Sequence, residues 1–358
     1  MLDFITEEHK MVSASMAALC ADLGRADRDS VLTREQRIEP ARVRQGLEGL
    51  GLFEELTPDA LAASSLVQAM IALESGKASL PYPVLESLSA AFLLAHAEIP
   101  LSAMLDPLQS LFTRPSLSAE ETELPVVRES RLSGVAEAVP FVGLCQKLLL
   151  TVRHEDDDSL ALAVVDLSAC RIRSRGSVEP DYPVGDVVLD GVELSEHATI
   201  RILRDGRDAV QALALHDAIL ATAEIAGAGL RLIDMTREYL LTRTQFGKPL
   251  GANQILKHSL AKHHVRAQAL VMMLNYAAAA LDAAAPDAPA AVRAAKQFAG
   301  SSGTALAQDM LQLHGAIGYT MEYPLHLFMR RVFRLTASHG STYQQGEILC
   351  RDYGLAES

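Results

Sequence analysis

The run from Ala209 to Leu241 constrains this chain most. It is long, apolar and alanine-rich, with Asp208 placed to cap its start. At 1.5 Å per residue it predicts a helix on the order of 50 Å long. A helix of that length needs partners of similar length. Three further stretches supply them: Ala252 to Leu281, Ala290 to Leu313, and Pro324 to Leu335 with Tyr343 to Tyr353 after it. Pro286 and Pro289 punctuate the loop after the second. Long helices joined by short loops predict an antiparallel four-helix bundle over residues 201–358.

The first part, residues 1–112, also reads as helical. Thr6-Glu7-Glu8 looks like a capped start, and Pro40 opens a helix from Ala41 to Leu50. A third helix runs from about Leu61 to Ser75 and stops at Gly76. Pro81 and Pro83 bracket a turn before an apolar helix from Val84 to Ala97, and Pro100 and Pro107 mark its exit.

Between them, residues 113–200 change period. Lys147 to Val152 and Leu160 to Val165 are short apolar runs joined by the acidic turn His154 to Ser159, which predicts a hairpin. Ile172 alternates with Arg171 and Arg173. Val187 to Leu194 reads as a second hairpin with Asp190-Gly191 at its tip. The expectation is a mainly α chain: N-terminal helical domain, middle β domain of about six short strands, C-terminal bundle.

Composition narrows the function. The 358 residues carry a formal net charge of -13, which argues against nucleic-acid binding. The four cysteines, Cys20, Cys145, Cys170 and Cys350, are far apart and predict neither a zinc site nor a disulfide framework. The N-terminus lacks the apolar stretch of a signal peptide, and no run reads as a membrane span. A cytoplasmic protein with no metal is expected.

Two segments carry chemistry. One is Arg243-Thr244-Gln245-Phe246-Gly247-Lys248-Pro249-Leu250, with Gln254 after it. The other is Gln312-Leu313-His314-Gly315-Ala316-Ile317-Gly318-Tyr319, running on to Glu322-Tyr323-Pro324. Glycines inside a helical region cost about 1 kcal/mol each against alanine; from spacing alone they read as a helix-to-helix turn, and beside the first segment they point to backbone brought close to something.

These segments resemble the acyl-CoA dehydrogenase family of flavoproteins, in its R-x-x-F-G-(K/Q)-P-(L/I) and Q-x-x-G-G-x-G-(Y/F) motifs, with Ala316 in place of the second glycine. The resemblance implies FAD held between two subunits and an acyl-CoA substrate. It further implies an electron-transferring flavoprotein as acceptor and a homo- or hetero-oligomer, a dimer of dimers. Arg243 would clamp the pyrophosphate bidentately. Phe246 would pack on the adenine side, Gln254 and Gln312 would offer amides, and the backbone of Leu313, His314, Gly315 and Ala316 would approach phosphate.

The sequence departs from the family at its base. The carboxylate that removes the α-proton usually precedes a Gly-Thr pair; here that position is His339, followed by Gly340 and Ser341. Ser341 keeps a hydroxyl for the cofactor. We read His339 as a polar residue in a vacated pocket rather than the base. Some family members carry the base on the first bundle helix, where this chain has Asp217. Asp217 reads either as that base or as a solvated helix residue. Glu224, two turns on, reads as a helix-packing hydrogen-bonding group. The family's T-E-P-x-x-G-S-D loop has no match around Arg114-Pro115-Ser116, and the chain has no tryptophan for its flavin-ring strand.

Three functions fit. The first is an acyl-CoA dehydrogenase with Asp217 as base, desaturating an acyl-CoA thioester as a homo-oligomer. The second is a non-catalytic subunit of a heteromeric dehydrogenase lending an FAD adenosine pocket to a partner, an arrangement the resemblance links to steroid side-chain or similarly bulky acyl-CoAs. The third is a helical scaffold without activity.

Overall fold

A computed structural model describes residues 5–23, 45–47, 49, 64–96, 110–112, 124–143, 145–194, 198–202 and 206–355. The helix expected over Ala41 to Leu50 is described only at 45–47 and 49, which are helical. Pro100, Pro107 and the Arg114-Pro115-Ser116 stretch lie outside the described residues.

The chain divides into two compact units. One gathers residues 1–43, 65–80 and 218–358; the other gathers 44–64 and 81–217.

The second unit is built on a sheet. In chain order its strands are β1 (Ser110–Phe112), β2 (Val126–Arg128), β3 (Arg131–Pro140), β4 (Lys147–His154), β5 (Leu160–Asp166), β6 (Arg171–Arg175), β7 (Val184–Glu193) and β8 (Ala198–Ile202). They lie in the order β6-β7-β3-β2-β4-β5-β8, with β1 pairing β4 in parallel. The predicted hairpin is β4–β5, in register from Lys147 opposite Asp166 to Arg153 opposite Leu160.

These two strands are buried on both faces, which is why they read as continuous apolar runs rather than alternating ones. Leu148, Leu150, Val152, Ala161, Ala163 and Val165 join the core on one face. Leu149, Leu162 and Val164 face the other way, onto Ala90, Leu93 and Leu94 of helix Val84–His96 and onto Ala209 and Leu213.

The expected hairpin over Val187 to Leu194 is not formed. Those residues belong to the single strand β7, paired antiparallel with β3 along its length. Gly191 has φ +64, and the register shifts between Leu132 opposite Val192 and Gly134 opposite Leu189. Asp190-Gly191 is therefore an irregularity within one strand, where glycine's access to positive φ lets the chain bulge without turning back.

The first unit is helical. We number the helices with described bounds in chain order: α1 (Glu7–Asp22), α2 (Ser65–Ala78), α3 (Val84–His96, in the sheet unit), α4 (Gly206–Thr242), α5 (Gln254–Asp282), α6 (Ala288–His314), α7 (Leu325–Ala337) and α8 (Thr342–Asp352). The unit boundary falls within α4, after Asp217. Thr6 caps α1 in a capping box, though the reciprocal partner is His9 rather than a glutamate.

Helix α2 does not stop at Gly76. It continues to Ala78. A Cβ on Gly76 would lie 2.4 Å from the Glu224 carbonyl oxygen, and one on Gly227 would lie 2.0 Å from that of Leu73. Both glycines let the backbones of α2 and α4 touch.

By length and hydropathy α4 would pass for a membrane span, but 94% of its most apolar window is buried inside the protein. Its contacts with α6 show how the bundle is threaded. Ile225 meets Gly303, Gly229 meets Leu306, and Tyr239 stacks on His314. The contact positions rise together along both helices, so α4 and α6 run parallel and their C-termini share one end of the bundle.

Candidate active site

That shared end carries both motif segments. The last turn of α4 closes with the Arg243 N–H donating to the Tyr239 carbonyl at 2.8 Å. A minimal hairpin follows: β9 (Thr244–Gln245) pairs antiparallel with β10 (Lys248–Pro249) across the two-residue loop Phe246-Gly247. Both loop residues have positive φ, +51 and +78, the signs a type I′ hairpin turn requires. Glycine adopts this freely, but phenylalanine in this region costs about 1–2 kcal/mol. Its side chain is 98% exposed, so no contact within the chain offsets that cost. The Leu250 N–H then donates back to the Arg243 carbonyl at 2.8 Å, and α5 begins at Gln254. Arg243 and Gln254 are both exposed.

The second segment ends α6. The backbone turns at Gly315, with φ +63, and continues as a short 3₁₀ turn from Gly315 to Tyr319. Gln312, Gly315 and Ala316 are exposed, and Leu313 is half-buried. His314 points inward. Its Nδ1 lies 2.8 Å from the Met310 carbonyl and its Nε2 lies 3.3 Å from the Tyr323 hydroxyl. Nδ1–H therefore donates to the carbonyl, leaving Nε2 to accept from Tyr323. The Tyr239 ring stacks on it at 4.7 Å. Burial pushes the His314 pKa down, which matches this neutral tautomer. The His314 ring is therefore turned into the bundle. It pins the end of α6 to the end of α4, four residues before Arg243.

The third segment lies elsewhere. Between α7 and α8, His339 and Gly340 have φ +55 and +80. Lys296, fully buried on α6, donates to the Leu335 and Gly340 carbonyls at 2.9 and 3.1 Å. Gln345 donates to the His339 carbonyl at 3.2 Å. Ser341 caps α8, accepting from the Gln344 N–H at 3.3 Å. A Cβ on Gly300 would strike the Thr342 hydroxyl. The turn thus sits against α6 near residues 296–300, while Gly315 follows 15–19 residues later. At 1.5 Å per residue the two are roughly 22–28 Å apart along the helix. One chain does not gather Gln312–Ala316 and His339–Ser341 at one point.

Asp217 belongs to the sheet unit and is not solvated. It is 3% exposed, and the Ser89 hydroxyl on α3 donates to its Oδ1. Beside it, His216 stacks on Phe92 at 4.0 Å. The reading of Asp217 as a solvated residue fails because this face of α4 packs on α3, continuing the stripe of Ala209 and Leu213.

Glu224 makes the packing hydrogen bond expected of it, accepting from the Ser75 hydroxyl at 2.9 Å. The sequence reading missed its cationic neighbours. Arg331, 2% exposed, places Nη1 at 3.6 Å from Glu224 and donates through Nη2 to the Leu80 carbonyl at 2.7 Å. Arg334 lies at 3.9 Å. The signal was present: Arg331 occupies the apolar face of α7, in step with Phe328, Val332 and Leu335.

The cysteines offer no nucleophile near neutral pH where they are buried. Desolvation pushes Cys20 and Cys145 up to about 12. Among the described residues no cluster of metal-ligating side chains is found.

Comparison with known proteins bears on these segments. A family profile described as "Acyl-CoA dehydrogenase, C-terminal domain" matches residues 204–353. Residues 204–353 are thus similar to the C-terminal domain of acyl-CoA dehydrogenases. It is 32% identical over 136 residues to acyl-CoA dehydrogenase IpdE2 of Mycolicibacterium smegmatis, a match covering 38% of this chain and 40% of that protein. The curated relatives are therefore matched over well under half of their own length.

Over the whole chain the acyl-CoA dehydrogenase fold is shared with solved structures at low identity. A Tcur3481-Tcur3483 steroid ACAD variant superposes with a TM-score of 0.81 at 22% identity, covering 100% of both chains. The ChsE4-ChsE5 complex from Mycobacterium tuberculosis gives 0.75 at 20% identity, covering 99% of each.

Proposed function

We propose that this chain is a subunit of an FAD-dependent acyl-CoA dehydrogenase, and that its bundle end holds the pyrophosphate and adenosine of FAD. The observation that carries the reading is the meeting of the two motif segments, about 70 residues apart in sequence, at the shared end of α4 and α6. The donor set fits the group. Arg243 offers a guanidinium to a diphosphate, Gln254 and Gln312 offer exposed amides, and the Gly315 turn offers backbone with no side chain over it. Phe246 presents an apolar face that nothing in its own chain uses.

FAD, when bound, supplies the acceptor for the β-hydrogen of the acyl thioester. The chain's own part is to bind the adenosine half and to contribute any base for the α-proton. Asp217 is its candidate, a buried carboxylate held by Ser89. Electrons would leave to an electron-transferring flavoprotein.

A second reading draws on three points. The resemblance sets His339 at the position of the usual catalytic glutamate. The His339 turn and the Gly315 segment lie far apart along α6. One similar fold is that of the ChsE4-ChsE5 complex. On this reading a partner chain carries the base and the flavin-ring contacts, and the substrate is a steroid side-chain or similarly bulky acyl-CoA.

The test is flavin content, measured on the chain purified alone and co-expressed with the products of neighbouring genes. Bound flavin in the lone chain favours the self-sufficient enzyme; flavin only on co-expression favours the partnered one. Under either, Arg243→Ala is expected to raise the Kd for FAD at least tenfold, the loss of roughly 1.5–3 kcal/mol from a charged hydrogen bond. An unchanged Kd overturns the cofactor assignment.

A further inference from the structure

The two motif segments are joined through one buried ring. Gln312, Gly315 and Ala316 are exposed, yet His314 between them is 2% exposed. Its contacts come from three parts of the bundle. The Met310 carbonyl lies one turn back on α6, the Tyr323 hydroxyl comes from the segment that leads into α7, and the Tyr239 ring comes from the last turn of α4. The Tyr323 ring also tilts against it at 4.9 Å and meets Tyr239 edge-on at 6.4 Å. A Cβ on Gly318 would lie 3.0 Å from the His314 Cβ, so the turn after Gly315 closes directly over it. Tyr239 in turn anchors the first segment, its carbonyl accepting from the Arg243 N–H at 2.8 Å.

Resting on the reading of this bundle end as the site of the FAD pyrophosphate and adenosine, we infer that His314 is the positioning residue of that site: its neutral ring holds the Arg243 and Gly315 segments in register, and its protonation releases FAD. The surroundings suit one protonation state. Nδ1–H donates to the Met310 carbonyl, and Nε2 accepts from the Tyr323 hydroxyl. A proton on Nε2 replaces that acceptor with a donor, which Tyr323 can receive only by turning its own hydrogen away. Among the described residues no carboxylate bonds the ring, so the charge finds compensation only on the Tyr239 face. The charged groups of the surrounding elements are engaged or exposed elsewhere. Asp309 on α6 bonds His263 at 2.6 Å, Arg330 on α7 reaches the Met321 sulfur at 4.0 Å, and Arg243 and Glu322 are exposed. A second imidazole, His326, meets the main chain instead, its Nδ1 lying 3.0 Å from the Tyr323 carbonyl.

The sign of the effect follows from burial, which pushes the His314 pKa down from its usual value near 6.5. Where only the neutral form is competent, the apparent Kd is the intrinsic one divided by the neutral fraction. The Kd for FAD is therefore expected to be level above about pH 6.5 and to climb as pH falls through the folded pKa, approaching about tenfold per pH unit. Arginine keeps its charge throughout this range. Arg243 thus contributes strength to the binding and no slope.

The experiment is FAD affinity by flavin fluorescence from about pH 5 to about pH 8, on the chain or the co-purified complex that carries flavin, with circular dichroism at each pH to show that it stays folded. The unaltered protein is expected to show the rise in Kd on acidification. His314→Gln keeps an amide donor and acceptor without a titrating proton, and His314→Phe keeps a ring against Tyr239; both are expected to abolish the slope, and either decides if the other fails to fold. His326→Gln should keep it. Arg243→Ala should raise the Kd at every pH and leave the slope. A level Kd in the unaltered protein, or an undiminished slope in the His314 variants, overturns the inference and leaves the FAD reading standing. So does a slope lost in His326→Gln and kept in His314→Gln. An unchanged Kd in Arg243→Ala overturns the FAD reading and this inference with it.

Discussion

His314 is held on three sides, by the Met310 carbonyl, the Tyr323 hydroxyl and the Tyr239 ring. Protonating it would place a second N–H where Nε2 now accepts and would leave a charge in a desolvated site. Its folded pKa lies below the unfolded value near 6.5. The unfolded chain therefore binds the proton first, and the contribution to stability is complete above about pH 6.5 and declines as pH falls through the folded value. Melting temperature should drop on acidification through this window, and His314→Gln should flatten that drop. Asp217 invites a different test. If it is the base, Asp217→Asn abolishes exchange of the substrate α-proton while the chain still folds; exchange at the normal rate sinks the assignment. The acidic residues on α4 were legible as positions but not as environments. Nothing local to Asp217 says that Ser89, over a hundred residues away, will bury it.

The Phe246-Gly247 hairpin is the smallest element in the bundle unit and the most exposed. Gly247 has φ +78, and nothing lies within 4 Å of where its Cβ would be. The demand there is conformational rather than steric. Gly247→Val should cost about 1–2 kcal/mol locally and lower flavin occupancy through a misdirected Arg243 and Phe246. The melting temperature should fall by no more than a few degrees, because strain at one turn is lost without any core contact; thermal melts and flavin titration separate the two. The long helices were legible to within a few residues, because amphipathic runs of that length leave few alternatives. The strand β7 was not. Asp190-Gly191 carries the sequence of a hairpin tip, yet β3 pairs straight past it. Local turn chemistry lost to a partner strand some fifty residues upstream.

Across the molecule, the sequence motifs located the bundle end but not the links that hold it. Lys296 reaches the turn before α8, and Arg331 reaches from α7 to Glu224 and Leu80. Both are cations on otherwise buried faces, where only the three-dimensional partner explains the charge. The crossing of α2 and α4 depends equally on non-local fit. Gly76→Ala would gain about 1 kcal/mol of helix propensity. Against that, a Cβ at 2.4 Å from main-chain oxygen forces the helices apart, and overpacking of this kind costs typically 1–3 kcal/mol or more. The variant should be less stable than the parent in thermal or denaturant melts, and equal or greater stability would show that the helices can separate freely.

That crossing also bears on how the protein can change over time. A clash between side chains can be relieved by shrinking the neighbour. At Gly76 and Gly227 the nearest obstacles are backbone atoms of Glu224 and Leu73, which every residue type carries. No second substitution can remove them. A search for suppressors of Gly76→Ala or Gly227→Ala should return revertants to glycine or changes that stabilise the protein elsewhere, and none that repairs the contact. The two positions are fixed by geometry that mutation cannot negotiate.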